Sequence, residues 1–258
     1  MCLPVLVMTR KPFVGGNWKS NGTVSSITTL VHALVKDSSR WSANDVDVVL
    51  APTTLHLGLV KSLLEPQFQL ALQNISKFGP GAYTGEVAAE MAPDAGIHWA
   101  LVGHSERRHK FGETHEDTAK KVAACQAAGV GVIFCIGELL EERKADKTLQ
   151  VCQEQIEAVL AVIKDWSKVV VAYEPVWAIG TGVVATTEQA QEAHAAVRSL
   201  IADKVSQSVA SQVRILYGGS VTPENCQELM KMPDVDGFLV GGASLKASFT
   251  DIIVAASQ

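Results

Sequence analysis

The sequence lacks any apolar run near the roughly 20 residues a bilayer-spanning helix needs, because Pro, Gly, His or Lys breaks each long apolar stretch. The opening MCLPVLVM is apolar but is followed by Arg10 and Lys11, whereas a secretory leader carries its basic residues first. These features predict a cytosolic chain with no membrane partner and with residues 1–10 as a short extension. There is also no Lys/Arg run, and the net charge is -5, which excludes the cationic stripe that nucleic acid requires. Cysteine is sparse and odd in number: Cys2, Cys125, Cys135, Cys152 and Cys226 form no C-x-x-C pair, so neither a disulfide framework nor a zinc site is expected. The two N-x-[ST] triplets, Asn21-Gly22-Thr23 and Asn74-Ile75-Ser76, are predicted to stay bare in such a compartment.

What the chain does have is apolar material for one large core. Of its 258 residues 47% are hydrophobic and only 19% charged, which excludes disorder and fits one domain over 1–258. Short β-rich runs alternate with helical patterns and no linker interrupts them. The predicted strands are Phe13 to Trp18, Val46 to Ala51, Phe68 to Gln73, Trp99 to Gly103, Gly131 to Ile136, Val169 to Tyr173, Arg214 to Tyr217 and Gly237 to Val240. Between them, Leu149, Cys152, Ile156, Val159, Leu160 and Ile163 mark one apolar helix face, and Ala190, Ala193, Val197, Leu200 and Ile201 another. Thr186 with Gln189 fits a capping box, and Thr222 before Pro223 fits a helix start. Eight parallel strands with crossover helices predict an α/β protein, either a (β/α)₈ barrel or an open doubly wound sheet.

Both architectures put chemistry beyond the C-terminal ends of the strands. The residues there are polar and glycine-rich. Gly218-Gly219-Ser220 and Gly241-Gly242 each precede a helix, where backbone amides free of Cβ atoms can wrap a phosphate. Gly180-Thr181-Gly182-Val183-Val184-Ala185 matches a dinucleotide fingerprint, but Glu174 to Ile179 separates it from the strand, so it reads as part of a lid. Glu174, at a strand end and covered by Trp177 and Ile179, is a candidate base whose basicity would rise as water leaves. His104 opens a polar run whose helix dipole disfavours an imidazolium, which suits a neutral hydrogen-bond donor. Lys19, beside Asn17, aims an ammonium at the same mouth, and Glu106 can pair with it or with Arg107. No residue pattern suggests a metal, and His109, Glu113 and His115 are predicted to sit solvated in a helix-entry loop.

Taken together, Gly16-Asn17-Trp18-Lys19, the run from Gly103 to Arg108, the run from Tyr173 to Gly182, Tyr217-Gly218-Gly219-Ser220 and the run from Gly237 to Ser244 closely resemble the triosephosphate isomerases, from about Lys11 to Ile253. The resemblance implies a TIM barrel and a cofactor-free aldose–ketose isomerase of glycolysis and gluconeogenesis. Such an enzyme interconverts dihydroxyacetone phosphate and glyceraldehyde 3-phosphate through an enediolate. By the same resemblance Glu174 would move the proton, His104 would polarise the carbonyl, Lys19 would offset charge and Asn17 would orient the oxygens. Gly180, Ser220, Gly241 and Gly242 would hold phosphate through backbone amides, Ile179 and Leu239 would clamp Glu174, and Glu106 would support Lys19. It further implies a homodimer in which the loop Asn74 to Glu86 enters the neighbour and brings Thr84 near its Asn17 and Lys19. Two positions depart from the usual pattern: Ser20 replaces a larger or sulfur-bearing residue, and Val183 replaces a lysine. A non-catalytic phosphosugar-binding barrel would tend to lose one of Asn17, Lys19, His104 or Glu174, all present here. An isomerase of larger sugar phosphates fits poorly with so short and bulky a lid.

Overall fold

The computed structural model describes residues 10–179 and 185–258. Eight strands follow in order: β1 Phe13–Asn17, β2 Asp47–Ala51, β3 Phe68–Leu72, β4 Trp99–Val102, β5 Gly131–Ile136, β6 Val169–Tyr173, β7 Arg214–Tyr217 and β8 Gly237–Val240. Every neighbour pair is parallel, and β1 pairs with both β2 and β8, which closes the sheet into a barrel and removes the doubly wound alternative. Four predicted strands overran by one residue at an end. At β4 the cause is explicit: Gly103 takes φ 75°, which turns the chain out of the sheet.

Side chains alternate across the wall as the pleat demands. Val49 and Ala51 point into the barrel with Phe13, Leu101, Ile133, Val170, Leu216 and Leu239, while Val48 and Leu50 face the surrounding helices. The floor is closed by an edge-on pair, Phe13 and Trp99, at 5.1 Å, with the Trp99 indole N–H donated to Gln69 Oε1 over 2.8 Å. Burying each such side chain contributes about 1.5–3 kcal/mol, so inner and outer layers together hold the mouth loops on a rigid frame. Arg10, the last residue of the expected extension, is tied to this base by an ion pair with Asp236 at 2.5 Å.

The helix Thr187–Lys204 buries all five apolar positions predicted for it and carries the expected Thr186/Gln189 capping box. The helix Thr148–Leu160 buries Cys152, Ile156 and Val159 but leaves Leu149 half exposed, because its first turn lies over an open groove, and it ends before Ile163. Ile163, though beyond the helix, is buried as expected, and Gln155 joins the buried face, its amide clasping the backbone N–H and C=O of Gly137. The helix after β7 starts at Cys226 and not at Pro223, since Thr222 to Asn225 form a turn in which the Thr222 N–H is donated to Asn225 Oδ1. The four cysteines among the described residues are buried free thiols, and no helix among those residues is long and apolar enough to cross a membrane.

Candidate active site

The C-terminal ends of the strands open onto a cavity of about 380 Å³. Its lining includes Asn17, Lys19, His104, Glu174, Ile179, Ser220, Leu239, Gly241 and Gly242, so nine positions singled out in the sequence converge on one mouth. Gly180 and Val183 lie outside the described residues. Glu106 stands just behind the lining, joined to Lys19, and Thr84 lies exposed on the surface loop.

Asn17 ends β1, and its side-chain oxygen accepts the Lys19 N–H at 3.1 Å. That bond helps hold Lys19 at φ 52°, a left-handed conformation a side chain rarely adopts and one concentrated at functional sites. Gln73, which sequence reasoning missed, donates its amide to the Lys19 carbonyl at 2.8 Å and to that of Ala51 at 2.8 Å. The Lys19 ammonium then reaches Glu106 Oε1 at 2.9 Å. Partial burial raises the pKa of Glu106, but Lys19 outweighs it and holds the carboxyl below its usual range.

His104 ends the β4 loop as the N-cap of the helix Ser105–Phe111, where its Nδ1 accepts the Glu106 N–H at 3.2 Å. The ring is thus held with its proton on Nε2, which lies 2.9 Å from Glu174 Oε1. Glu174 Oε2 accepts the Ser105 N–H at 3.0 Å. Burial alone would raise the Glu174 pKa; His104, the Ser105 N–H and Lys19 overcome it, so the carboxyl sits below its ordinary value and is ionised. Burial lowers the His104 pKa, and the Glu174 carboxylate more than offsets that while the contact lasts. The expected pull of the helix terminus toward the neutral ring is present in the amide at Nδ1, but Glu174 works against it.

The Glu174 backbone is clamped by its neighbours. Its N–H is donated to the Ile136 carbonyl at 2.7 Å, and a Cβ placed on Gly218 would come within 2.9 Å of its Cγ. Ile179 lines the mouth beside it as expected, whereas Trp177 is not among the residues lining the cavity. The indole N–H of Trp177 is instead donated to Glu138 Oε1 at 3.0 Å, and Arg143 lies over the ring at 4.8 Å. Glu138 is buried, accepts the Tyr173 hydroxyl as well, and pairs with Arg143 at 3.3 Å. Little local marked it: Arg143 lies five residues on, but Tyr173 and Trp177 lie 35 and 39 residues away, so the sequence signals were that arginine and its place just after β5.

The solvated reading of the segment after His104 needs one correction. His109 and His115 are exposed as expected, though they lie in the helices Ser105–Phe111 and His115–Ala128, but the Glu113 side chain is only 7% exposed, gripped by Arg107 at 2.6 Å and by Lys121. A carboxylate between two cations is shielded from water by them, which a count of local polarity does not reveal. Among the described residues no group of three His, Cys, Asp or Glu is placed to hold a metal ion.

The arrangement can accept a proton at Glu174, donate a hydrogen bond at His104 and neutralise an anion at Lys19, beside glycine amides suited to phosphate. Residues 12–256 match the family model described as triosephosphate isomerase. A relative from Oryza sativa subsp. japonica, a cytosolic triosephosphate isomerase, is 52% identical over 250 residues, covering 97% of this chain and 98% of the relative. With the family model and the relative both running along nearly the whole chain, the chain belongs to the triosephosphate isomerase family.

Proposed function

We propose that the mouth residues carry out the family's reaction, interconverting dihydroxyacetone phosphate and D-glyceraldehyde 3-phosphate through an enediolate, as follows. The observation that carries this reading is the convergence of an ionised, buried carboxylate, an imidazole held in its Nε2–H form and an ammonium on one cavity. Glu174 leaves the Ser105 N–H and His104, takes the proton from the carbon next to the carbonyl and returns it to the other carbon. His104 polarises the carbonyl through Nε2–H and shuttles protons between the two oxygens. Lys19 offsets the enediolate and phosphate charge, and Asn17 orients the oxygens. The amides of Gly180, Ser220, Gly241 and Gly242 hold the phosphate. Ile179 and Leu239 exclude water from the base, and Glu106 supports Lys19. The chain acts as one domain in the cytosol, a location supported by the cytosolic relative. A coupled assay on glyceraldehyde 3-phosphate in deuterated water should show isomerisation with solvent label at the exchanged carbon. Glu174→Gln should abolish both; exchange at an unchanged rate in that variant would remove Glu174 as the base.

The working unit is read as a homodimer. Phe78 and Tyr83 stack at 4.4 Å on the exposed loop that also carries Thr84, leaving an aromatic surface in water that a second copy would cover. Replacing the loop tip from Gly79 to Ala82 with a short linker should give a monomer of poor activity. A wild-type chain sedimenting as a fully active monomer at micromolar concentration would overturn this.

A further inference from the structure

We propose that Lys246 is a specificity residue for this reaction, an outer cation that captures the substrate's phosphate at the rim and delivers it to the glycine amides and Lys19. Lys246 follows the short 3₁₀ helix Gly242–Leu245 and lines the same cavity as Glu174 and Lys19. Its backbone is anchored, with the N–H donated to the Ala243 carbonyl at 3.2 Å and the carbonyl accepting the Phe249 N–H at 3.0 Å. Its side chain is exposed, and its ammonium enters no ion pair or hydrogen bond among the described residues. Lys19 is differently placed. A Cβ added to Gly241 would stand 3.7 Å from Lys19 Cε, which puts that lysine deep against the glycine loop, where Glu106 already takes its charge at 2.9 Å.

The charge arithmetic decides what this means. The chain as a whole carries -5, so an approaching phosphate dianion meets net repulsion. Among the described residues lining the mouth, Glu174 is an anion and Lys19 is offset by Glu106 at 2.9 Å, whereas Lys246 is held in no ion pair and feels only the longer-range field of Glu224, which lies outside the lining. An exposed rim charge of this kind acts on encounter and on selection of charged substrates, and little on the chemical step. Lys246 therefore raises kcat/KM for phosphorylated trioses while leaving kcat, and the turnover of unphosphorylated glyceraldehyde, unchanged.

The test compares wild type, Lys246→Gln and Lys246→Arg with glyceraldehyde 3-phosphate and with glyceraldehyde, from about 10 mM to about 0.5 M salt, a range over which the screening length falls from roughly 30 Å to a few ångströms. The wild-type arm also checks the isomerase reading itself, independently of Lys246. Lys246→Gln should lose about three- to tenfold in kcat/KM at low salt, keep its kcat and converge on wild type at high salt. Lys246→Arg should retain the wild-type salt slope, and glyceraldehyde turnover should be the same in all three. Equal salt slopes for wild type and Lys246→Gln, a parallel fall in kcat, or an equal loss on glyceraldehyde would each overturn the proposal.

Discussion

Trp177 donates its indole N–H to Glu138 over 3.0 Å, tying the segment that follows Glu174, the proposed base, to a buried carboxylate after β5. The same carboxylate accepts the hydroxyl of Tyr173, the residue preceding Glu174, so one anion braces both flanks of the base. Replacing Glu138 by Gln keeps the shape but cannot accept from Tyr173, Trp177 and Arg143 together. Leaving one buried donor unmade costs about 1–3 kcal/mol. The expected result is a folded protein with a lower melting temperature, altered tryptophan emission and kcat reduced more than KM is raised. Unchanged emission would show that Trp177 does not depend on this bond.

Gly218 and Gly137 make a paired steric test of how the base is held. A methyl on Gly218 would meet Glu174 Cγ at 2.9 Å and the Tyr173 carbonyl at 3.1 Å, so it displaces the Glu174 side chain more than the fold. At Gly137, φ is 153° and an added Cβ would fall 1.8 Å from the Glu174 carbonyl oxygen, a clash with backbone that cannot yield. Gly218→Ala should therefore fold and lose at least about tenfold in turnover, equal to about 1.4 kcal/mol in barrier. Gly137→Ala should lose stability outright. Equal melting temperatures for the two variants would contradict the distinction.

The Glu174–His104 contact links stability to pH in a definite window. Glu174 has its pKa lowered on folding, so its contribution is complete above the unfolded value of about 4.3 and is lost as pH falls through the lower folded value. His104 has its pKa raised, so its contribution is complete below about 6.5 and is lost as pH rises through the folded value. The melting-temperature difference between wild type and Glu174→Gln should then be most favourable to wild type between those two values and decline on either side. A difference that goes on growing in wild type's favour as the pH falls below about 4.3 would reverse the sign for Glu174.

All eight strands could be read from short apolar runs because both faces of a barrel wall are largely buried, and the site could be read from the residues just beyond them. What escaped was long-range. Gln73 acts on the carbonyl of Lys19, 54 residues away, and Glu138 gathers donors from β6 and the segment after it, so neither role leaves a local pattern. Glu113 looked solvated because its two cations, Arg107 and Lys121, meet it only after the helices on either side pack. Leu149 looked buried because periodicity fixes a helix face but not whether a neighbour covers its first turn.

Gln73 gives the last prediction. Lys19 bears a left-handed backbone at φ 52°, and two side chains hold it: Asn17 accepts its N–H and Gln73 donates to its carbonyl. Gln73→Ala frees that carbonyl and the Ala51 carbonyl at the end of β2 while leaving the Lys19 charge and its Glu106 pair intact. The ammonium should then spend less time in the productive position, and since even small misplacement of a positioned group is costly, kcat/KM should fall by about tenfold, or about 1.4 kcal/mol. Lys19→Ala removes the charge itself and should cost far more. If Gln73 acts only through Lys19, adding Gln73→Ala to Lys19→Ala should cause little further loss, since two residues serving one interaction are not additive. A further full tenfold loss in the double variant would show that Gln73 works through some other route.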